Sequence, residues 1–479
     1  MEKIKKSLFK SSCLGLVLLL LLSFAGCANN TAANDTTANN SIESTVDTAS
    51  AAGQDASDEE AASSLKLVLD KGKWAPDTYA AAYKLIENNA NTENAYAVFD
   101  WDNTCIFQDT TDNIMNYQIN NLKFKMNPEE FEYGITHGNN DAVPTDNLVE
   151  PYQNANGDPV NIEMLAKDLV SDYTYFWEHY QGLNPEADGA LADIEAVRAT
   201  DEFKDFQAKF WFAYIGLIDT FGENIAYTWQ ANCLSGHTVE ELAELCDEAI
   251  PYYLAEKIED VYYDSPESLP GAAGQVKNSE IGNYFRKGLR IIPEMVNLMN
   301  ALRDNGIEVY ISTAAVDMVV RNFACSPLYG YNVPEENVIG IRMNLDENGV
   351  ILPEIPDTNE HSINVKQGKV DNIVRYLVPK YDKNPILIGG DSSGDYEMMT
   401  QFTGANDTEM VNDKDPLQLV LISNCVKSGG MCELSKIAAS QMGTENPQFV
   451  LQGRNEYTGL WIPDEQTLKL GADELQLTK

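Results

Sequence analysis

Apolar and polar positions change their period several times along this chain, and each change marks an element. Residues 76–89 repeat apolar positions at helical spacing behind Pro76, which suits a first helical turn. Ala97-Val98-Phe99 is then apolar throughout, as a strand buried on both faces is, and stops abruptly at Asp100. From about 105 to 289 the alternating pattern gives way to helical runs at 162–180, 201–218 and 238–259. This stretch is rich in aromatics: Tyr173, Tyr175, Phe176, Trp177, Tyr180, Trp211, Phe212, Tyr214, Tyr227 and Trp229. Most of them are expected to be helix core. At Ile291 strands and helices alternate again. Pro293 opens a helix to 304, Asn305-Gly306 stops it, and 307–311 is a buried strand ending in Ser312-Thr313-Ala314-Ala315. Residues 338–345 and 350–354 read as a hairpin around Asn348-Gly349. A helix over 370–377, a strand over 385–390 and a strand over 419–423 follow. The tail beyond 450 carries no assignable period. The sum is an α/β protein, a doubly wound and mostly parallel sheet with a large, mainly helical segment inserted after its first strand.

The N-terminus stands apart. Four lysines precede an apolar run from Leu14 to Leu22, too short to span a bilayer comfortably, and Ala25-Gly26-Cys27 follows. Residues 1–26 resemble a bacterial lipoprotein signal, with Cys27 as the lipidated mature N-terminus. Residues 27–64 are polar and small, unable to bury enough surface to fold, and read as a tether. The expected location is the outer face of the bacterial cell membrane. The net charge of −41 argues against nucleic acid and anionic lipid surfaces as partners, and no protein partner is implied. The cysteines after Cys27 fit no zinc spacing; Cys425–Cys432 and Cys233–Cys246 are conceivable disulfides, and free thiols are the alternative.

The chemistry lies at the strand ends. Asp100-Trp101-Asp102-Asn103-Thr104 places two carboxylates one residue apart. Like charges this close stay ionised together only beside a cation or a strong hydrogen-bond donor. At the carboxyl end of a parallel strand, that suits a divalent ion and a phosphate. Small hydroxylated residues at 312–315 let a phosphate approach the backbone. Gln367-Gly368-Lys369 puts a lysine at a helix start, where it opposes the helix dipole unless an anion is near; Lys366 is a second candidate. Gly390-Asp391 and Asp395 bring two more carboxylates into a Gly/Ser loop after a strand, hard oxygen ligands suited to Mg²⁺.

In that order, the four motifs resemble the haloacid dehalogenase superfamily, in its phosphatase branch, and within it the exported bacterial phosphorylcholine phosphatases. The resemblance implies a core over 65–107 and 290–479 with a helical cap over 108–289. It implies Asp100 as nucleophile, Asp102 as acid and base, and Thr313 (with Ser312 as the alternative) and Lys369 on the phosphate. It implies Mg²⁺ held by Asp100, the Asp102 backbone, Asp391 and Asp395. Thr104, Trp101 and Asp109 are further candidate substrate contacts. The implied substrate is a small phosphomonoester, phosphorylcholine or a similar amino-alcohol phosphate. A quaternary ammonium would sit against cap aromatics, with the 173–180 cluster and Trp211-Phe212 in view beside Trp101, and Asp109 or Asp112 nearby. Two alternatives share these features: a phosphoserine phosphatase-like enzyme, and a surface lipoprotein that binds a nutrient without chemistry. The second leaves carboxylate pairs at two strand ends unexplained.

Overall fold

A computed structural model describes residues 65–356 and 360–479. The expectations for the signal, the tether and Cys27 lie outside the described residues. Six strands form the central sheet: β1 (Tyr96–Phe99), β2 (Glu308–Val316), β3 (Val338–Ile341), β4 (Leu387–Gly390), β5 (Leu419–Ser423) and β6 (Phe449–Gln452). Their order is β6-β5-β4-β1-β2-β3, and every pairing is parallel. The chain winds outward from β1 in both directions, so the strand order reverses there. That is where an open α/β sheet leaves a crevice beyond its carboxyl ends.

Alternation along each strand feeds two cores. Tyr96, Val98, Tyr310, Ile388, Val420 and Ile422 pack on one face with Val370, Ile373, Met398 and Leu434. Ala97, Phe99, Val309, Ile311, Leu387 and Leu421 pack on the other with Leu85, Ile86, Leu298 and Leu302. Those partners come from helices α1 (Pro76–Asn89) and, after the inserted segment, Pro293–Asp304, both bounded as expected.

The insertion leaves and re-enters through two short strands that pair antiparallel, Ile106 opposite Ile291 and Phe107 opposite Arg290. Between them run α2 (Thr110–Asn121), α3 (Ile162–His179), α4 (Asp201–Phe221), α5 (Glu223–Asn232) and α6 (Val239–Ala255). The third predicted helical run therefore stops at 255, where Glu256 turns to extended backbone. Tyr173, Phe176, Trp211 and Phe212 are buried in the core of this segment. Among the described residues no helix is long and apolar enough to cross a membrane.

Two expectations are corrected. Strand β2 does not end at Ile311 but continues through Ser312–Ala315 to Val316, because β3 pairs alongside it, with a register shift between Ser312 and Val316. The predicted 338–345 arm divides. Val338–Ile341 is the sheet edge, and a tight turn follows in which Asn344, Leu352 and Glu354 exchange backbone bonds. All six described cysteines are free thiols. The unassigned tail forms β6 and then a small four-stranded sheet over 454–476.

Candidate active site

Asp100 is the first residue beyond β1, and its N–H still donates to the Gly389 carbonyl of β4 at 2.9 Å. It is buried. Its Oδ1 accepts from Lys369 Nζ at 2.7 Å and its Oδ2 from Thr104 Oγ1 at 3.1 Å. Lys369 lies in α7 (Gln367–Asn372) and also donates to Asp395 Oδ1 at 2.7 Å. The start of that helix is sterically fixed. A Cβ at Gly368 would sit 1.8 Å from the Ile363 carbonyl, so only glycine fits there. Buried Asn364 ties the helix to β2, donating to Ser312 Oγ at 3.1 Å and the Thr313 carbonyl at 2.8 Å. Asp395 Oδ2 accepts the backbone N–H groups of Asp391 and Ser392 at 3.0 and 3.1 Å. Gly390 permits this turn, since a Cβ on it would lie 2.7 Å from Asp395 Cβ.

One cavity of about 150 Å³ collects these groups. Asp100, Asp102, Asp109, Thr313, Lys369 and Asp391 line it from the sheet side, and Tyr214, Glu223, Tyr227 and Gln230 from the inserted helices. Burial first, then the Asp395 charge, push the Asp100 carboxyl well above the usual carboxylate range, against the pull of Lys369. Burial lowers the Lys369 pKa, but the two carboxylates outweigh it and hold the ammonium above its ordinary value. Burial, then the charge of Asp109, raise Asp102 well above the usual range, even though its Oδ1 accepts Thr110 N–H at 2.7 Å and Thr110 O–H at 2.8 Å.

Asp100, Asp391 and Asp395 offer carboxylate oxygens that all lie within 4.8 Å of one another. A trio of buried hard-oxygen donors at that spacing fits Mg²⁺. Both oxygens of Asp100 and both of Asp395 already have protein donors, Lys369 among them in each case, so a bound ion would share these two carboxylates with the protein. The Asp102 carboxylate is turned to Thr110 and does not join the trio.

The structure brings Asp100, Asp102, Asp109, Thr313, Lys369, Asp391 and Asp395 together. Three predicted contacts lie elsewhere. Trp101 is wholly buried, its indole N–H on Thr110 Oγ1 at 3.0 Å and its ring against Phe323 and Tyr331, so it is core. Thr104 touches Asp100 instead of the cavity. Ser312 is held by Asn364 behind the cavity wall, which leaves Thr313 as the hydroxyl at the cavity. Of the two lysines, Lys366 is drawn out to an ion pair with Glu223, and Lys369 is the one at Asp100. The aromatics facing the cavity are Tyr214 and Tyr227, not the 173–180 cluster or Trp211-Phe212. Glu223 and Gln230 were not singled out in the sequence, and Tyr227 was named only among the aromatics of the inserted segment. Their spacing of four and three residues places them on one face of α5, a pattern legible in principle. Lys427 also lines the cavity and has no sequence signal.

A parallel sheet that presents an Asp-x-Asp pair, a hydroxyl, a lysine and a second aspartate pair along neighbouring strands resembles the plan of the haloacid dehalogenase superfamily. No family model matches the chain. More particularly, it is 32% identical over 130 residues to a phosphorylcholine phosphatase of Pseudomonas aeruginosa; the match takes in 27% of this chain and spans only 33% of that relative's length. A solved structure of a conserved, functionally unknown protein from Anaerococcus prevotii superposes with a TM-score of 0.70 at 29% identity, covering 84% of this chain and 99% of that one. A phosphoserine phosphohydrolase-like protein from Francisella tularensis reaches a TM-score of 0.28 at 11% identity, over 69% of this chain and 87% of that one.

Proposed function

We propose that this chain is a phosphomonoester hydrolase acting through an aspartyl-phosphate on Asp100, with phosphorylcholine or a similar amino-alcohol phosphate as substrate. The observation that carries the reading is one cavity holding Asp100, Asp102, Thr313, Lys369 and Asp391 at the strand switch point. Asp100 attacks phosphorus, forming the acyl phosphate and breaking the ester P–O bond. Asp102 gives its proton to the departing alkoxide oxygen. It then takes one from the water that attacks the acyl phosphate, returning Asp100 and releasing inorganic phosphate. Lys369 and Thr313 stabilise charge on the phosphoryl oxygens. Mg²⁺, with Asp100 and Asp391 as ligands and Asp395 behind them, would screen the carboxylate from the phosphate.

The cationic end of the substrate suits the other wall. Tyr214 and Tyr227 line it, with the carboxylates of Asp109 and of Glu223, the latter paired to Lys366. An aromatic face contributes about 0.5–2 kcal/mol to holding a quaternary ammonium, depending on desolvation. The relative's name points to the same substrate. Anchoring at the outer membrane face through Cys27 completes the proposal.

The test compares kcat/KM for phosphorylcholine, phosphoserine and a neutral ester of similar size, in wild type and Asp100→Asn, with and without a chelator. Activity in wild type alone, dependent on Mg²⁺ and highest on phosphorylcholine, is expected. Turnover that survives Asp100→Asn refutes the mechanism, and equal turnover of the neutral ester refutes the cationic pocket alone.

A further inference from the structure

Two lysines line the cavity, against the five carboxylates of Asp100, Asp102, Asp109, Glu223 and Asp391. A phosphate dianion has to be held against that field. Lys369 is already engaged, its ammonium 2.7 Å from carboxylate oxygens of both Asp100 and Asp395. Lys427 differs. It is exposed, the charge that acts on it most is that of Asp391, and among the described residues it makes no side-chain hydrogen bond or ion pair. A cation at a cavity wall without a fixed partner is free to meet a ligand.

The backbone shows how it is aimed. Lys427 follows Val426, which sits at φ 53, a conformation that β-branched residues rarely adopt. The turn is imposed from outside. The Val426 N–H donates to Asn424 Oδ1 at 3.0 Å, and Asn424 Nδ2 donates to the carbonyls of Glu465 at 2.7 Å and Leu477 at 2.9 Å. Thr467 Oγ1 donates to the Asn424 carbonyl from the same tail sheet. A strained residue that its surroundings hold in place marks a position where direction matters. Here the result is that the chain leaving β5 carries Lys427 to the cavity.

We infer that Lys427 is a phosphate-binding residue, supplying the open cationic contact to the non-bridging oxygens of substrate and of product phosphate that Lys369, paired twice, leaves unmet. The inference rests on the reading of the site as a phosphomonoester hydrolase. The rival role, in which Lys427 only offsets the charge of Asp391, predicts a different outcome.

The experiment uses the full chain, wild type and Lys427→Met and Lys427→Arg, at saturating Mg²⁺. It measures KM, kcat, the inhibition constant of inorganic phosphate, phosphate binding by calorimetry and, in a separate titration, the Mg²⁺ concentration that gives half activity. With Met, KM and the phosphate inhibition constant should rise together by about ten- to a hundredfold, the range expected for losing a hydrogen bond to a charged group. With Arg, both should recover in part. An unchanged phosphate constant with a lowered Mg²⁺ requirement would assign Lys427 to Asp391 and overturn the inference, leaving the hydrolase reading intact. Wild type that neither binds phosphate nor hydrolyses any ester overturns both.

Discussion

Replacing Asp102 by Asn separates its proton from its shape. The Asn Oδ1 still accepts from Thr110 N–H and O–H, which reach Asp102 at 2.7 and 2.8 Å, so the loop geometry is kept. What disappears is the ionisable proton of a carboxyl whose pKa burial, then the Asp109 charge, raise. General acid–base catalysis of this kind contributes about 10²–10⁴ in rate, or roughly 3–5 kcal/mol of barrier. Phosphorylcholine releases a poor alkoxide that needs the proton, so its turnover should fall by that whole range. A nitrophenyl phosphate leaves without a proton, so its first step should be nearly spared, while attack of water on the acyl phosphate still lacks a base. Rapid mixing of Asp102→Asn with the nitrophenyl ester should therefore give a stoichiometric burst of nitrophenolate and then a slow steady state. Equal losses on both esters, with no burst, would refute the assignment of Asp102 as acid and base.

Two further outcomes are expected. Asp172, buried near Asp205 and Lys209, is pushed up to about 9, by burial first and Asp205 next, and its Oδ2 has no hydrogen-bond partner. The unfolded carboxyl titrates near 3.9, so the stability this group contributes is whole below about pH 4 and is lost as pH rises toward 9, some ~4 kcal/mol by pH 7. Asp172→Asn, which cannot ionise, should raise the melting temperature at pH 8 and leave it unchanged near pH 4; parallel pH profiles for the two proteins would refute this. For localisation, Cys27→Ala should release the protein from the membrane fraction, and unchanged fractionation would remove the lipid anchor from the proposal.

What the sequence made legible follows from where the chemistry sits. Asp100 and Asp391 lie at strand ends and Lys369 at a helix start, so an element boundary read from periodicity also gives their direction, whereas Thr313 lies within β2. Trp101 and Thr104 sit in the irregular turn beyond β1. Side-chain direction there depends on partners far away in sequence, Phe323 and Tyr331 for the indole. Ser312 and Thr313 are neighbours on a strand, so they face opposite ways. Choosing between them needed Asn364, which holds Ser312 from behind. The aromatic wall failed for a similar reason. Tyr214 and Tyr173 are alike in sequence, and only the packing of α3, α4 and α5 decides which of them meets the cavity.

The tail ties that packing to the carboxylates of the candidate site. Glu456, wholly buried in the terminal sheet, accepts from Arg454 at 3.0 Å, Lys469 at 2.7 Å and Arg286 of the inserted segment at 3.2 Å. Arg286 in turn grips Asp260 with two bonds, at 2.6 and 3.0 Å. Arg454 lies over the ring of Phe107, in one of the two connecting strands, and donates to Asn103 Oδ1 at 3.0 Å, one residue beyond Asp102. The insertion is therefore joined to the catalytic loop by a buried charge network as well as by its two connecting strands. Removing one partner of such a network leaves uncompensated buried charge and costs several kcal/mol. The tail sheet ties the inserted segment, through Arg286, to the loop beyond Asp100, and the same sheet holds Asn424, two residues from Val426. A segment with no readable period thus joins the inserted segment to the loop that carries Asp102.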